Sequence, residues 1–185
     1  RLARAQPTSD FDADFADGET YLGSHDEDEA EKGVRFLSRL KATYRAPAQQ
    51  DRLCWRLAEH FRARGAHRRA ASELAQMRER ATGPMQDPQF YVRWADSLLE
   101  SGDAATARTA LYELLANELR WLPTNTPAVP GPEERERLDR ARAALRDANL
   151  LLGRLNARQL DAQEPVAAAT ATMPARAAAG HGGHP

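Results

Sequence analysis

The first residues whose spacing suggests chemistry are three aspartates near the N-terminus. Asp10, Asp12 and Asp14 are spaced like the first ligands of a calcium-binding loop, in which alternate carboxylates surround the ion. Such a loop needs Gly at its sixth position and Glu at its twelfth, whereas this chain has Phe15 and Tyr21 there. The pattern therefore argues against calcium, and we expect no metal site here.

The five histidines and the single cysteine form no pattern typical of catalysis. His60 and His67 flank one turn, His25 lies in an acidic segment, and His181 and His184 are close to the C-terminus. Only the last two are spaced to hold a metal, and weakly. Cys54 has no His or Asp arrangement that favours a nucleophile, and one cysteine excludes an internal disulfide. Because the chain also lacks a phosphate-binding glycine loop and a nucleophile elbow, we expect no enzyme and no cofactor.

Composition and charge indicate the fold class and divide the chain in two. Of the 185 residues, 36 are Ala and 21 are Leu, whereas Val occurs only 4 times and Ile is absent. Since strands depend on β-branched residues, this composition predicts an all-α protein. The net charge of −1 hides an asymmetry: residues 1–31 carry about −8 and residues 32–185 about +7, mostly through arginine.

The sequence leaves two cellular compartments open. The sequence has no run of 18 or more apolar residues, so we expect no membrane span. The first residue is Arg rather than Met, and Ala3-Arg4-Ala5 has the form of a signal-cleavage site. One expectation is a periplasmic or membrane-associated bacterial protein whose N-terminal signal or anchor has been removed. The alternative is a cytoplasmic protein.

Breaks in composition separate the predicted helices. We predict a disordered acidic arm over residues 1–25, a proline-rich linker over 122–132 and a disordered tail over 164–185. Between them lie helical regions over 26–121 and 133–163, of which the first begins with a helix that ends before Pro47.

Two helix pairs within the first helical region repeat the same pattern around Gly65 and Gly102. At equal offsets before the two glycines lie Phe61 and Leu98, Ala58 and Ala95, Leu57 and Trp94, and Cys54 and Tyr91. At equal offsets after them lie Ala70 and Ala107, Leu74 and Leu111, and Met77 and Leu114. Small residues at matching places allow two antiparallel helices to approach closely, which predicts a repeated helical hairpin.

This pattern resembles the tetratricopeptide repeat (TPR), with units over residues 51–84 and 88–121. The units are 37 rather than 34 residues apart, the small first-helix position is Ala rather than Gly, and Cys54 replaces the first aromatic residue. The resemblance implies stacked hairpins whose first helices line a concave, peptide-binding surface. An ordinary antiparallel helical bundle is the alternative fold.

The flanking helices are expected to cover the ends of the two units. The helix before Pro47 supplies a half-repeat, with Ala30, Val34 and Leu37 at second-helix positions. The long helix over 133–163 carries a seam of Leu138, Ala141, Leu145, Ala148, Leu152 and Leu155. This seam predicts either a cap within the chain or an intermolecular contact.

The concave surface is the candidate partner-binding site. Its predicted outward residues are Arg52, Trp55, Arg56, Glu59, Arg62, Gln89, Val92, Arg93, Asp96 and Leu99. Arginines pair with carboxylates and a tryptophan offers a flat apolar anchor, although single positions also fit an ordinary solvated helix face. The resemblance argues against a clamp for chaperone C-termini, because Trp55, Glu59 and Arg93 occupy places where such clamps have Lys or Asn.

The acidic arm alternates carboxylates with apolar residues, namely Phe11, Phe15, Tyr21 and Leu22. Such a segment is typical of one that docks on a basic, partly apolar groove. We expect it to bind a partner, to fold back over the arginine-rich face of its own chain, or to act only as a solubilising tail.

These patterns predict a protein–protein interaction adaptor or scaffold. The alternative is a structural accessory subunit that wraps a larger, possibly membrane-associated, assembly. Nucleic-acid binding through Arg62, Arg64, Arg68 and Arg69 is a weaker hypothesis, because carboxylates are interspersed along the last helix and the acidic arm would compete. No small-molecule substrate is expected.

Overall fold

The described residues form a series of helices, three pairs of which are joined by short turns. A computed structural model of the chain describes residues 10–80, 87–122 and 131–171, and all regular structure in these ranges is helical. In chain order the helices are α1 (Phe11–Leu22), α2 (Glu27–Thr43), α3 (Pro47–Ala63), α4 (His67–Arg80), α5 (Pro88–Glu100), α6 (Ala104–Ala116), α7 (Glu118–Trp121) and α8 (Pro132–Ala171). The predicted all-α class is confirmed.

Helix α1 corrects the predicted disordered arm. Asp10 caps this helix, since its carboxylate accepts the backbone N–H of Asp12 at 3.0 Å. Phe15, Gly18 and Leu22 then recur at helical spacing and are buried. The arm folds because these residues form an apolar stripe that α2 can cover, although its aspartates suggested disorder. Residues 1–9 lie outside the described residues.

Two glycines bring α1 and α2 close together. A Cβ added to Gly33 of α2 would lie 2.6 Å from the backbone nitrogen of Leu22. A Cβ added to Gly18 of α1 would lie 2.2 Å from the Leu37 side chain. The backbone of α1 therefore occupies the space that a side chain at position 33 would need, and α1 is packed as part of the core.

The helices form three successive hairpins, α1 with α2, α3 with α4, and α5 with α6. The sequence predicted two such units preceded by a half-repeat. The structure corrects this, because α1 supplies the first helix that α2 was expected to lack. Ala30, Val34 and Leu37 of α2 are buried, as their predicted second-helix positions require.

The turns of the two predicted units have the same geometry. Gly65 has a φ of 69° and Gly102 a φ of 92°, a left-handed conformation that favours glycine. In each turn the next residue donates its N–H to a carbonyl five residues earlier at 2.8 Å, from Ala66 to Phe61 and from Asp103 to Leu98. The aligned alanines Ala58, Ala70, Ala95 and Ala107 are all buried. The predicted equivalence of the two turns is confirmed.

The long helix α8 packs on α5 and α6. Of its predicted seam, Leu138, Ala141, Leu145, Ala148 and Leu155 are buried and Leu152 is half-buried. The seam therefore belongs to the core of this chain, where it covers the last hairpin. The helix also runs eight residues past its predicted end at 163, which corrects the start of the predicted tail, since alanine-rich sequence favours helix.

Other predicted segments are described only in part. Of the predicted linker over 122–132, residues 123–130 lie outside the described residues, as do residues 81–86 of the inter-unit segment and residues 172–185 of the tail. Among the described helices, none combines the length and apolar character needed to cross a membrane.

Candidate partner-binding surface

Ion pairs connect the first helix of each hairpin to the next. Arg52 and Arg56 of α3 donate to Asp12 and Glu19 of α1 at 2.5 and 2.8 Å. Arg62 of α3 donates to Asp96 of α5 at 2.9 Å, and Arg93 of α5 pairs with Glu59 of α3. Arg154 of α8 lies 3.6 Å from Asp96 and 2.7 Å from Glu100 of α5. We call this series the ion-pair ladder.

The ladder uses most of the charged residues predicted to bind a partner. Arg56, Glu59, Arg62, Arg93 and Asp96 each pair with a side chain of the same protein. Much of the predicted arginine surface is thus neutralised within the chain. Its ion pairs join neighbouring helices.

Aromatic rings lie under two of the arginines. The Arg52 guanidinium is 4.1 Å from the centre of the Phe15 ring, and the Arg93 guanidinium is 4.9 Å from the centre of the Trp55 ring. Cation–π contacts of this kind contribute about 0.5–1 kcal/mol at exposed sites. They leave Trp55 partly exposed, with one face under an arginine.

Two predicted contact residues are not on the surface. Val92 is 8% exposed and Leu99 is 4% exposed. Both belong to the buried core cluster, and α8 packs against their helix α5. The prediction that they face outward is corrected, because in a pair of helices without α8 this side of α5 would face solvent.

The predicted docking residues of the acidic arm are also part of the fold. Phe15 and Leu22 are buried, and Phe11 packs edge-on against Tyr44 with ring centres 5.0 Å apart. Tyr21 is the exposed member and lies 6.5 Å from the Phe36 ring. Of the three roles predicted for this arm, the structure shows the one in which it folds back on its own chain, because α1 lies against arginines of α3.

A groove opens where α3, α5 and α8 come together. Its volume is about 440 Å³, and it is lined by Asp51, Arg52, Trp55, Met77, Asp87, Pro88, Phe90, Arg137 and Arg140. Apolar side chains from α3, α4 and α5 are combined here with arginines from α3 and α8. We call this site the α3–α5–α8 groove. Gln89 lies outside it, in a neighbouring hollow beside Arg135 and Arg140.

Sequence reasoning found Arg52 and Trp55 of this groove and missed the rest. Met77 lies at a core position of the repeat pattern, Phe90 is not part of that pattern, and both side chains are buried. Arg137 and Arg140 lie in an α8 segment of alternating charge, in which neither is distinguished from the other arginines. They reach the groove only because α8 folds back on α5.

The arginine cluster suggested for nucleic acid is divided among other contacts. Arg62 lies between Glu59 and Asp96, and Arg64 lies 3.5 Å from Glu27. The Arg69 guanidinium lies 4.1 Å from the centre of a phenylalanine ring. These contacts engage three of the four arginines, so the structure lends the nucleic-acid hypothesis no support.

The cysteine and histidine considered for catalysis lie among other side chains of the fold. Cys54 is fully buried, with its Sγ 4.0 Å from the Gln76 side chain. Burial lowers the pKa of His60, and the guanidinium groups of Arg64, Arg56 and Arg69 lower it further. Within residues 10–80, 87–122 and 131–171, no three His, Cys, Asp or Glu side chains are grouped to hold a metal ion.

Comparison with known proteins adds no family to this description. Searches against protein-family models, curated proteins and solved structures found no match to the chain. The tetratricopeptide resemblance therefore stays a prediction from the residues.

Proposed function

We propose that this protein is a non-enzymatic interaction module that holds a segment of a partner protein in the α3–α5–α8 groove. The observation that carries the proposal is the composition of this groove, in which the partly exposed Trp55 lies with the buried Met77, Pro88 and Phe90 and with three arginines. An apolar centre with a polar rim is the usual composition of a protein-binding site. The other arginines of the ion-pair ladder, by contrast, pair within the chain outside the groove, and Arg52 is the ladder arginine that lines it.

Trp55 is the side chain expected to contribute most to binding. Trp94 and Trp121 are buried at 4% and 7% exposure, whereas Trp55 is partly exposed at the groove. Tryptophan is enriched among the residues that dominate binding energy. The helical-repeat form supports the same site, since the first helices of stacked hairpins commonly carry the partner surface.

Site-specific photo-cross-linking in cells of the source organism tests this function. A benzophenone amino acid replaces Arg137 in the groove or, as a control, Arg146, whose side chain is 73% exposed on the same helix. We expect a discrete protein adduct from position 137 that disappears when Trp55→Ala is added. Equal adducts from both positions, or an adduct insensitive to Trp55→Ala, would contradict the proposal.

A structural accessory subunit is the second candidate, and the length of α8 favours it. Arg108 of α6 donates to Gln159 of α8 at 2.8 Å, and α8 continues for about three more turns to Ala171. At about 1.5 Å per residue this extension is long enough to reach a neighbouring subunit. Under this alternative, removing residues 164–185 abolishes co-purification with the assembly, whereas Trp55→Ala leaves it intact.

A further inference from the structure

The charged residues of the α3–α5–α8 groove differ in whether they already have interaction partners within the chain. Asp51 is buried and has an interaction partner within the chain. Asp87 caps α5, where its carboxylate accepts the Gln89 backbone N–H at 2.9 Å. Both carboxylates of the groove are therefore occupied by local structure.

The arginines of the groove are more available. Arg140 is exposed and has no ion pair within the described part of the chain. The Arg137 side chain is 60% exposed and lies 3.8 Å from Glu134, too far for a hydrogen bond. Arg52 is 50% exposed and is held by Asp12 of α1, itself largely exposed. The charge that the groove presents to a ligand is therefore positive.

From this arrangement we infer that the partner segment carries carboxylates beside a large apolar side chain. The inference rests on the proposed function and specifies the chemistry of its ligand. The apolar side chain packs on the partly exposed Trp55, and the carboxylates pair with Arg140 and Arg52. Arginine suits this role because its planar guanidinium can bind a carboxylate with two parallel hydrogen bonds.

Helix α1 competes for one of these arginines. A partner carboxylate that binds Arg52 replaces Asp12, which pairs with the same guanidinium at 2.5 Å. The acidic helix therefore weakens binding of an acidic partner. Because the Arg52–Asp12 pair is exposed, its removal by Asp12→Asn is expected to raise affinity about two- to five-fold.

Fluorescence anisotropy with labelled peptide pools tests the inference on the full chain. Each pool has a central Phe-Leu pair, and the flanking positions are drawn from Asp and Glu, from Asn and Gln, or from Lys and Arg. A fourth pool has acidic flanks around Ala-Ala. We expect only the acidic Phe-Leu pool to bind well, with an affinity that falls as salt is raised, because exposed ion pairs are screened.

Substitutions in the groove test where the peptide binds. Trp55→Ala should weaken the acidic Phe-Leu pool about 30-fold, as expected for a binding hot spot. Arg140→Glu should weaken it about tenfold and invert the preference toward the basic pool. Arg146→Glu, on an exposed site of the same helix, is the matched control and should have little effect. Circular dichroism confirms that each variant is folded.

The possible outcomes separate the two proposals. If the amide and acidic pools bind equally and both require Trp55, the inferred partner chemistry is refuted while the proposed function stands. If no pool binds in a Trp55-dependent way, both are refuted. If binding requires replacement of residues 123–130 by Gly and Ser, that segment of the same chain is the occupant, and the inference fails.

Discussion

Replacement of Gly33 by alanine tests whether α1 is an integral part of the fold. Alanine is normally favoured over glycine within a helix by about 1 kcal/mol, so the substitution would stabilise an isolated α2. In the folded chain the new Cβ would lie 2.6 Å from the backbone nitrogen of Leu22 and 2.9 Å from its Cα. These are backbone atoms and cannot rotate away, so α1 has to shift.

The size of the effect follows from what α1 buries. Phe15 and Leu22 are 3% and 4% exposed, and full burial of such a side chain contributes about 1.5–3 kcal/mol. Complete detachment of α1 would thus lose about 3–6 kcal/mol, whereas overpacking that α1 can partly accommodate costs about 1–3 kcal/mol. We expect Gly33→Ala to lower the free energy of unfolding by about 1–3 kcal/mol.

Urea unfolding followed by far-UV circular dichroism measures the change, and α8 supplies a matched control. A Cβ added to Gly153 meets nothing within 4 Å, so Gly153→Ala should raise the free energy of unfolding by about 0.5–1 kcal/mol. Cleavage within α1 by a Glu-specific protease should increase only in Gly33→Ala. If both variants are stabilised equally, α1 does not pack against α2 as described.

Three further predictions concern other parts of the fold. Lys41→Ala should lower the free energy of unfolding by about 1–3 kcal/mol in urea titrations, because the partly buried Lys41 ammonium binds a carboxylate and an amide of α4. Lys32 is exposed, so the control Lys32→Ala should change this free energy by less than about 0.5 kcal/mol. The pKa of His60 is lowered in the folded chain, so below about pH 6.5 the His60 side chain of the unfolded chain takes up a proton before that of the folded chain. The free energy of unfolding should therefore fall as the pH drops, by at most about 1.4 kcal/mol per pH unit. Melting curves of His60→Gln should show a weaker fall, and an unchanged pH profile would contradict the assignment. Gly65→Ala should cost about 1–2 kcal/mol in the same assay because its φ is 69°, whereas Gly131→Ala, in open space, should be nearly neutral.

Local patterns accounted for much of the fold. The matching offsets around Gly65 and Gly102 predicted two equivalent hairpins, because a left-handed turn residue and small residues at helix contacts are requirements that each segment carries in its own sequence. The apolar seam of α8 was identified in the same way, since a 3,4 spacing indicates a buried helix face wherever that face packs. What covered the seam was not specified by the spacing.

The pairing of charged side chains could not be predicted, because the sequence does not indicate which opposite charge a given side chain will meet in the fold. The carboxylates of α1 suggest a disordered arm, although Phe15, Gly18 and Leu22 have the spacing of a packed helix. Likewise, Arg56 and Arg93 suggest a partner-binding surface, whereas each binds a carboxylate of another helix in the same chain. Such pairs join residues more than 30 positions apart.

The sequence by itself determined an all-α chain, the turns of two hairpins and the apolar faces of the helices, because helix propensity, turn conformation and periodicity act over a few residues. Only the tertiary structure decided that α1 completes a third hairpin, that the arginines pair along a ladder, and that α8 brings Arg137 and Arg140 to Trp55. These features depend on which helix faces meet. That outcome is set by packing and charge pairing between segments distant in the chain, so no single segment encodes the groove.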